Sequence, residues 1–425
     1  MHFDQFDLIQ GIRQLPLLVT FLVFPLLAAA AMRRLPAAWR VRGLAVVVLS
    51  ILPVLCIFAA TGTVRLHFAK QFVLVSLVAV AGYVICGIVS WWLLRLWGRE
   101  RSGRFWIAFA FPLAVLVLIR FVPGQWHYYF PGKHLAEIFL GISYVACRLS
   151  HLALEYRNGV VETPRLSAYL AFAFFPSTLS VGPISPYHLF QDSLQAPNRP
   201  VAPASQCWLR FLIGLTKFLF LARLAEQLSY QGLLLDGHPH LWIDLPVAMV
   251  AYYFYLYMNF SGWCDMAIGT AGLAGFQVAE NFNDPMLSRN VQEFWTRWHM
   301  TLTGYMRDVV FTPLCKALVR AWGPRHAQHA IAVSIFSVFV VIGCWHGLAW
   351  NYFIYDVLQG LGVAVVHYYS IYLKKRLGRD AYARYEANPW IHWTSVAVTF
   401  AFACGTLFFF ANPLDRIIRI ISVFR

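Results

Sequence analysis

Charge is what this chain has least of: 12% of its 425 residues are charged against 60% hydrophobic. So few charges cannot clothe a soluble surface of that size, which excludes an ordinary water-soluble globule and makes the chain a polytopic membrane protein. Acidic residues are the scarcer sign, 19 Asp and Glu against 34 Lys and Arg. The basic excess is dealt out among short loops between apolar runs instead of forming a stripe, so no nucleic-acid partner is expected. No C-x-x-C pair is present. The eight cysteines, Cys56, Cys86, Cys147, Cys207, Cys264, Cys315, Cys344 and Cys404, are scattered among apolar neighbours and read as small buried hydrophobes. Internal repeats, low-complexity tracts and long polar linkers are also missing, so 1–425 is read as a single membrane domain.

What is there instead is a series of nearly uncharged runs, at 17–32, 43–63, 71–94, 105–119, 166–181, 241–264, 330–345, 348–373 and 390–410. Most are long enough to cross a hydrocarbon core of roughly 30 Å as helices. Weaker candidates at 136–154 and 208–221 are interrupted by Arg148, Arg210 and Lys217, which brings the expectation to about eleven spans in an all-α fold. Met1 to Gln14 contains Asp4 and Asp7, and the first apolar run lacks a cleavage site, so that run is expected to be an anchor. Arg33, Arg34, Arg40 and Arg42 follow the first run and Arg95, Arg99, Arg101 and Arg104 the third, whereas the loop between them offers Arg65 and Lys70. The positive-inside rule then places the N-terminus outside, in a plasma membrane. Near the end, Lys374, Lys375, Arg376, Arg379 and Arg384 precede the last run and Arg416, Arg419 and Arg425 follow it; both groups cannot be inside if 390–410 crosses fully.

Chemistry-bearing residues concentrate between 133 and 372, with 1–130 as framing helices and 373–425 as a C-terminal helix and tail. Gly269-Thr-Ala-Gly272-Leu-Ala-Gly275 follows no strand and reads as close helix packing through small residues. His134 with Glu137, His326 with His329, and His238 with His240 have spacings seen in metal sites but no further ligands, so no metal is expected. Two histidines stand out because ionisable groups are costly at membrane depth. On a helical wheel over 293–310, Trp295, Trp298, His299, Leu302, Tyr305, Met306 and Val309 form one stripe, which predicts an amphipathic helix at a membrane boundary or cavity mouth. A hydrogen-bonded core histidine is the plainer reading of His299 on spacing alone. His346 ends the uncharged run 330–345 between Gly343 and Gly347. A neutral imidazole there can take a proton from a hydroxyl, or it can make an interhelical hydrogen bond.

Taken together, Leu140-Gly-Ile-Ser-Tyr144 with Arg148, Val181-Gly-Pro-Ile184, Asn281-Phe-Asn283 with Pro285, Glu293-Phe-Trp-Thr-Arg-Trp-His299, Arg307-Asp308 with Pro313-Leu314, and Trp345-His-Gly347 carry a resemblance. The chain resembles the membrane-bound O-acyltransferase (MBOAT) family, and within it the branch that transfers D-alanyl groups to teichoic acid. The first 130 residues agree in hydropathy alone. Three positions depart from the pattern: Ser185-Pro186 stand where a charged pair is common, Tyr305 replaces a common tryptophan, and Asp356 sits where glycine is frequent.

The resemblance implies a ring of transmembrane helices around a central passage, with interfacial or re-entrant helices and a catalytic core over 133–372. It carries the family's invariant histidine onto His346 and its second histidine onto His299. It implies no tightly bound cofactor, but an acyl thioester donor, either the phosphopantetheine of a carrier protein or acyl-CoA, entering from the cytoplasm of a bacterial inner membrane. The acceptor would be a hydroxyl on an extracytoplasmic polymer. A thioester is already activated, so the chemistry asks for geometry and one base. His346 is expected to be that base and His299 a second polar group orienting the thioester or polarising its carbonyl, with Asn281, Asn283, Trp295, Trp298 and Trp345 lining the passage. Lys316, Val319, Arg320 and Trp322 are expected to dock an acidic acyl carrier protein, and an accessory acyl-transfer protein is expected on the outer face, among membrane lipids. Acetyl transfer to an exported polysaccharide remains the alternative reaction. A transporter or flippase of an envelope precursor is the alternative of another class, against which the missing repeated halves argue.

Overall fold

A computed structural model describes residues 26–27, 69–100, 103–121, 141–179, 181–195, 201–235, 240–347 and 349–424. The run expected at 43–63, all of that at 17–32 but residues 26–27, the loop residues Arg33, Arg34, Arg40, Arg42, Arg65 and Arg101, and the histidines His134 and His238 lie outside these. The described chain is helical: α1 (Ala69–Trp97), α2 (Phe105–Phe121), α3 (Ile142–Arg157), α4 (Leu166–Ala173), α5 (Tyr187–Gln195), α6 (Ala204–Thr216), α7 (Asp244–Leu273), α8 (Val291–Arg297), α9 (Met300–Met306), α10 (Thr312–Trp322), α11 (Ala327–His346), α12 (Trp350–Ala387), α13 (Pro389–Ala411) and α14 (Leu414–Ser422). No strand forms among the described residues beyond one isolated antiparallel bridge. By contacts the chain divides into two units, residues 1–213 with 264–279, and residues 214–263 with 280–425.

In the first unit, α1 packs on α2 and α4, and α2 on α3. The run 166–181 is not the continuous span expected: α4 stops at Ala173 and a single turn, Pro176–Leu179, follows. Proline has no N–H and disfavours helical geometry in the residue before it, so the helix ends ahead of Pro176. The exposed end is satisfied from inside the protein. Arg148, buried on α3, donates from Nη2 to the Ala173 carbonyl at 2.8 Å and from Nη1 to Thr178 Oγ1 at 2.7 Å. Glu155, also buried on α3, accepts the Tyr187 N–H at 2.7 Å and pairs with the His188 ring, which fixes the start of α5. Two glycines of the run 269–275 pack closely, as expected: a Cβ on Gly269 would lie 2.8 Å from the Cys207 carbonyl, and one on Gly272 2.7 Å from Cys207 Sγ, whereas one on Gly275 would meet nothing within 4 Å.

In the second unit α11 packs along α12, and α12 along α13. Among the described residues two helices, Pro324–His346 and Pro389–Ala411, each 23 residues long, are apolar and long enough to cross a membrane. Outward-facing side chains stay apolar where a soluble protein would turn polar: Phe220 is 64% exposed, Val365 64% and Val398 64%. Such surfaces are stable against lipid tails. α12 bends at Gly378, whose φ of 71° lies in the left-handed region that a residue without Cβ tolerates. The segment after α13 is helical too. α14 buries Ile420 against Tyr230, Leu234, Ala248, Phe408 and Ala411 while Leu414 and Ile418 remain exposed. Arg416 and Arg419 therefore sit on an amphipathic helix suited to lying along a bilayer surface, and need not mark the far side of a full crossing.

Candidate functional site

Two short backbone segments build the site, both in the second unit. Residues 281–283 run antiparallel to 297–300 through a bridge between Phe282 and Trp298. The Asn283 N–H donates to the Arg297 carbonyl at 2.9 Å, and the Met300 N–H to the Asn281 carbonyl at 2.9 Å. This clamp is incompatible with one helix over 293–310, and here the structure corrects the sequence expectation. α8 opens with Asn290 Oδ1 accepting the Glu293 N–H at 2.8 Å, while the Glu293 carboxylate accepts the Arg289 N–H at 2.9 Å and pairs with Arg297 at 2.8 Å. The helix ends at Arg297. Trp298 is extended, His299 takes φ 46° and ψ 50°, and α9 begins at Met300. Left-handed geometry in a residue with a Cβ costs of order 1–3 kcal/mol and persists only where surrounding contacts impose it. Trp295, Trp298, His299, Leu302, Tyr305 and Met306 are nevertheless all buried. The stripe picked the right side chains on the wrong backbone.

His299 is 5% exposed, its ring edge-on to Phe260 at 4.7 Å. Its Nδ1 lies 3.0 Å from Asn281 Oδ1. That same oxygen accepts the Thr301 N–H at 3.2 Å and the Thr301 hydroxyl at 2.7 Å. Nε2 is buried with no partner among the described residues. Burial first, and His346 second, push this imidazole down to about 3, so it stays neutral at any physiological pH. His346 is therefore close enough for the two rings to interact electrostatically.

His346 closes α11, with Nδ1 2.8 Å from Oδ2 of Asp356 on α12. Asp356 is wholly buried, and its Oδ1 has no partner among the described residues. Gly343, one turn before His346, gives the carboxyl its room: a Cβ there would meet Asp356 Cβ at 3.3 Å and Oδ2 at 3.4 Å. Phe410 stands edge-on to the His346 ring at 5.2 Å, and Tyr352 and Tyr355 complete an aromatic wall. A carboxylate against Nδ1 holds the proton on that nitrogen, which makes Nε2 the nitrogen with acceptor and base character.

The other sequence candidates divide. Asn281 joins His299 directly, whereas Asn283 is exposed and contributes its backbone to the clamp. Trp295 donates from Nε1 to Gln359 Oε1 at 3.0 Å, and Gln359 Nε2 to Thr406 Oγ1 at 2.7 Å, a buried strut across α8, α12 and α13. Trp298 stacks on Phe294 with ring centres 5.5 Å apart. Trp345 flanks His346 at 5.4 Å, and its buried Nε1 has no partner among the described residues. Lys316, Arg320 and Trp322 are exposed on α10 and Val319 is half-buried; no residue of that helix is buried. Sequence reasoning missed Asp356 and Gln359 as functional residues. Each is polar inside the apolar run 348–373, the same signal that singled out His346.

A helical membrane protein with a carboxylate-backed histidine beside a second neutral one is equipped for proton transfer to and from a hydroxyl. Comparison with known proteins makes that class specific. Residues 54–409 match the model of the MBOAT, membrane-bound O-acyltransferase family. The chain is similar to a teichoic acid D-alanyltransferase of Streptococcus thermophilus, 28% identical over 342 residues, covering 76% of this chain and 80% of that protein. The corresponding Bacillus subtilis protein is 27% identical, with 79% of each chain covered. A probable alginate O-acetylase of Pseudomonas aeruginosa is 30% identical over 228 residues, 53% of this chain and 42% of that one. The chain belongs to the membrane-bound O-acyltransferase family, and it is an O-acyltransferase.

Proposed function

We propose that this enzyme moves a D-alanyl group from a cytoplasmic thioester to a hydroxyl on an extracytoplasmic cell-envelope polymer, with His346 as general base. The observation that carries the reading is the His346–Asp356 pair. Its Nδ1 contact at 2.8 Å sets the tautomer in which Nε2 is basic. The acceptor oxygen attacks the thioester carbonyl carbon while its proton passes to His346 Nε2. The C–S bond then breaks, and the imidazolium returns the proton to the departing thiolate. No acyl-enzyme intermediate is needed, because the thioester is already activated. His299 orients the substrates beside this step. Similarity to D-alanyltransferases over about four fifths of their length supports the acyl group.

A second reading, acetyl transfer to an exported polysaccharide, is favoured by the alginate O-acetylase match. In either case the ring of about eleven spans around a passage, an acidic carrier protein at Lys316, Val319, Arg320 and Trp322, an accessory protein on the outer face and a bacterial inner-membrane location belong to the proposal. Purified enzyme given carrier-bound D-alanyl thioester, acetyl-CoA and polymer acceptors tests it. Faster D-alanyl ester formation, abolished in His346→Ala, is expected; preferential acetyl ester formation selects the second reading, and transfer by His346→Ala at the wild-type rate overturns the mechanism.

A further inference from the structure

The hydrogen bonds around Asn281 identify its atoms without ambiguity. An amide side chain can be turned either way, but the atom 3.2 Å from the Thr301 N–H faces a group that only donates, so it is the carbonyl oxygen. His299 Nδ1, 3.0 Å from that oxygen, must then be the protonated nitrogen. The Thr301 hydroxyl, 2.7 Å away, donates to the same oxygen and anchors it. In a neutral imidazole one nitrogen alone carries hydrogen, so Nε2 is a bare lone pair, buried and without a partner among the described residues. The clamp between 281–283 and 297–300 and the left-handed backbone of His299 fix where that lone pair points.

We propose that Asn281 is the positioning residue of His299, holding it as the Nδ1–H tautomer so that Nε2 accepts a hydrogen bond from a substrate N–H or O–H. The inference deepens the acyl-transfer reading and rests on it for the identity of the substrates. It reverses one of the two roles foreseen for His299. A lone pair repels a carbonyl oxygen, so this histidine does not polarise the thioester; it grips a donor group instead. Three groups offer that chemistry: the ammonium of an aminoacyl group, the acceptor hydroxyl, and an amide N–H of the carrier arm.

Nitrogen NMR of the 15N-histidine-labelled enzyme in detergent, with His299 assigned by loss of its signals in His299→Gln, reads the tautomer without any turnover. A protonated Nδ1 and a pyridine-like Nε2 near neutral pH are expected, and a protonated Nε2 overturns the proposal even if acyl transfer is confirmed. Kinetics supply the second readout. Asn281→Asp still accepts from Thr301 and from Nδ1–H, so it should retain the tautomer and keep kcat within about tenfold of wild type. Its carboxylate favours the imidazolium, so the acid limb of the rate profile should move to higher pH. Asn281→Leu, of similar size but without an acceptor, should lose roughly 10²-fold or more in kcat. Equal loss in both variants, tracking their thermal midpoints, would mean that Asn281 only holds the fold. Parallel assays with D-alanyl and propionyl thioesters separate the sources: a defect confined to D-alanyl assigns the ammonium, an equal defect assigns the hydroxyl or carrier amide, and no defect with either refutes the contact.

Discussion

His346 and Asp356 come from different helices, and neither does its chemistry alone. The carboxyl is wholly buried and its Oδ2 faces the ring nitrogen at 2.8 Å, so its removal leaves the imidazole free to take the wrong tautomer. Asp356→Asn preserves size but presents an amide that can donate to Nδ1, which moves the proton to Nε2 and removes the base. Initial rates should fall by about 10² to 10⁴, as for loss of a general base, with a thermal midpoint close to wild type. A rate within a few-fold of wild type would show that the pair only packs the helices. Of these residues the sequence exposes the histidines best, because an imidazole at the end of an uncharged run has no cheap explanation. Asp356 carries the same signal, yet it reads as a departure from a family pattern until its partner is known. The orientation of Asn281 was not legible at all, since it depends on a contact with His299, 18 residues away, and on a left-handed backbone that no periodicity announces.

Elements tell a similar story. Long apolar runs translate directly into α7, α11 and α13, because twenty or more residues without charge leave the backbone only helical hydrogen bonds in lipid. Breaks translate poorly. The helix expected over 293–310 and the span expected over 166–181 are both interrupted by tertiary contacts, the first by the 281–283 clamp and the second by Pro176 with the Arg148 cap. Close packing of α11 on α12 depends on small residues at the crossing. A Cβ on Gly360 would lie 3.1 Å from Phe339 Cβ and 3.2 Å from the Phe336 ring. Gly360→Ala should therefore force the helices apart and destabilise the protein by about 1–3 kcal/mol, read as a lower thermal midpoint in detergent; an unchanged midpoint would mean the rings can yield. α10 has no buried residue and carries Lys316 and Arg320 beside Trp322. If it docks an acidic carrier, Lys316→Glu with Arg320→Glu should weaken carrier binding in a salt-dependent way while sparing transfer from a small soluble thioester. Equal carrier affinity in the reversed protein would place docking elsewhere.

At the scale of the whole molecule, composition alone assigned the membrane, and the match of 54–409 to an acyltransferase family assigned the reaction. Sidedness links the two, because the proposed reaction brings a cytoplasmic thioester and an external hydroxyl to one site from opposite faces. Lys316, Arg320 and Arg325 cluster on and just after α10, and the positive-inside rule puts them in the cytoplasm. The 20 residues of α11 then carry the chain about 30 Å, enough to bring His346 toward the far side of the hydrocarbon core. Ala321 is exposed at the end of α10, so Ala321→Cys offers a handle that disturbs no packing. A membrane-impermeant maleimide should gain a site in this variant over its parent in inside-out vesicles and not in intact spheroplasts. The reverse pattern would put α10 on the outer face, where no cytoplasmic carrier reaches it. It would also reverse the side from which the proposed thioester donor approaches His346.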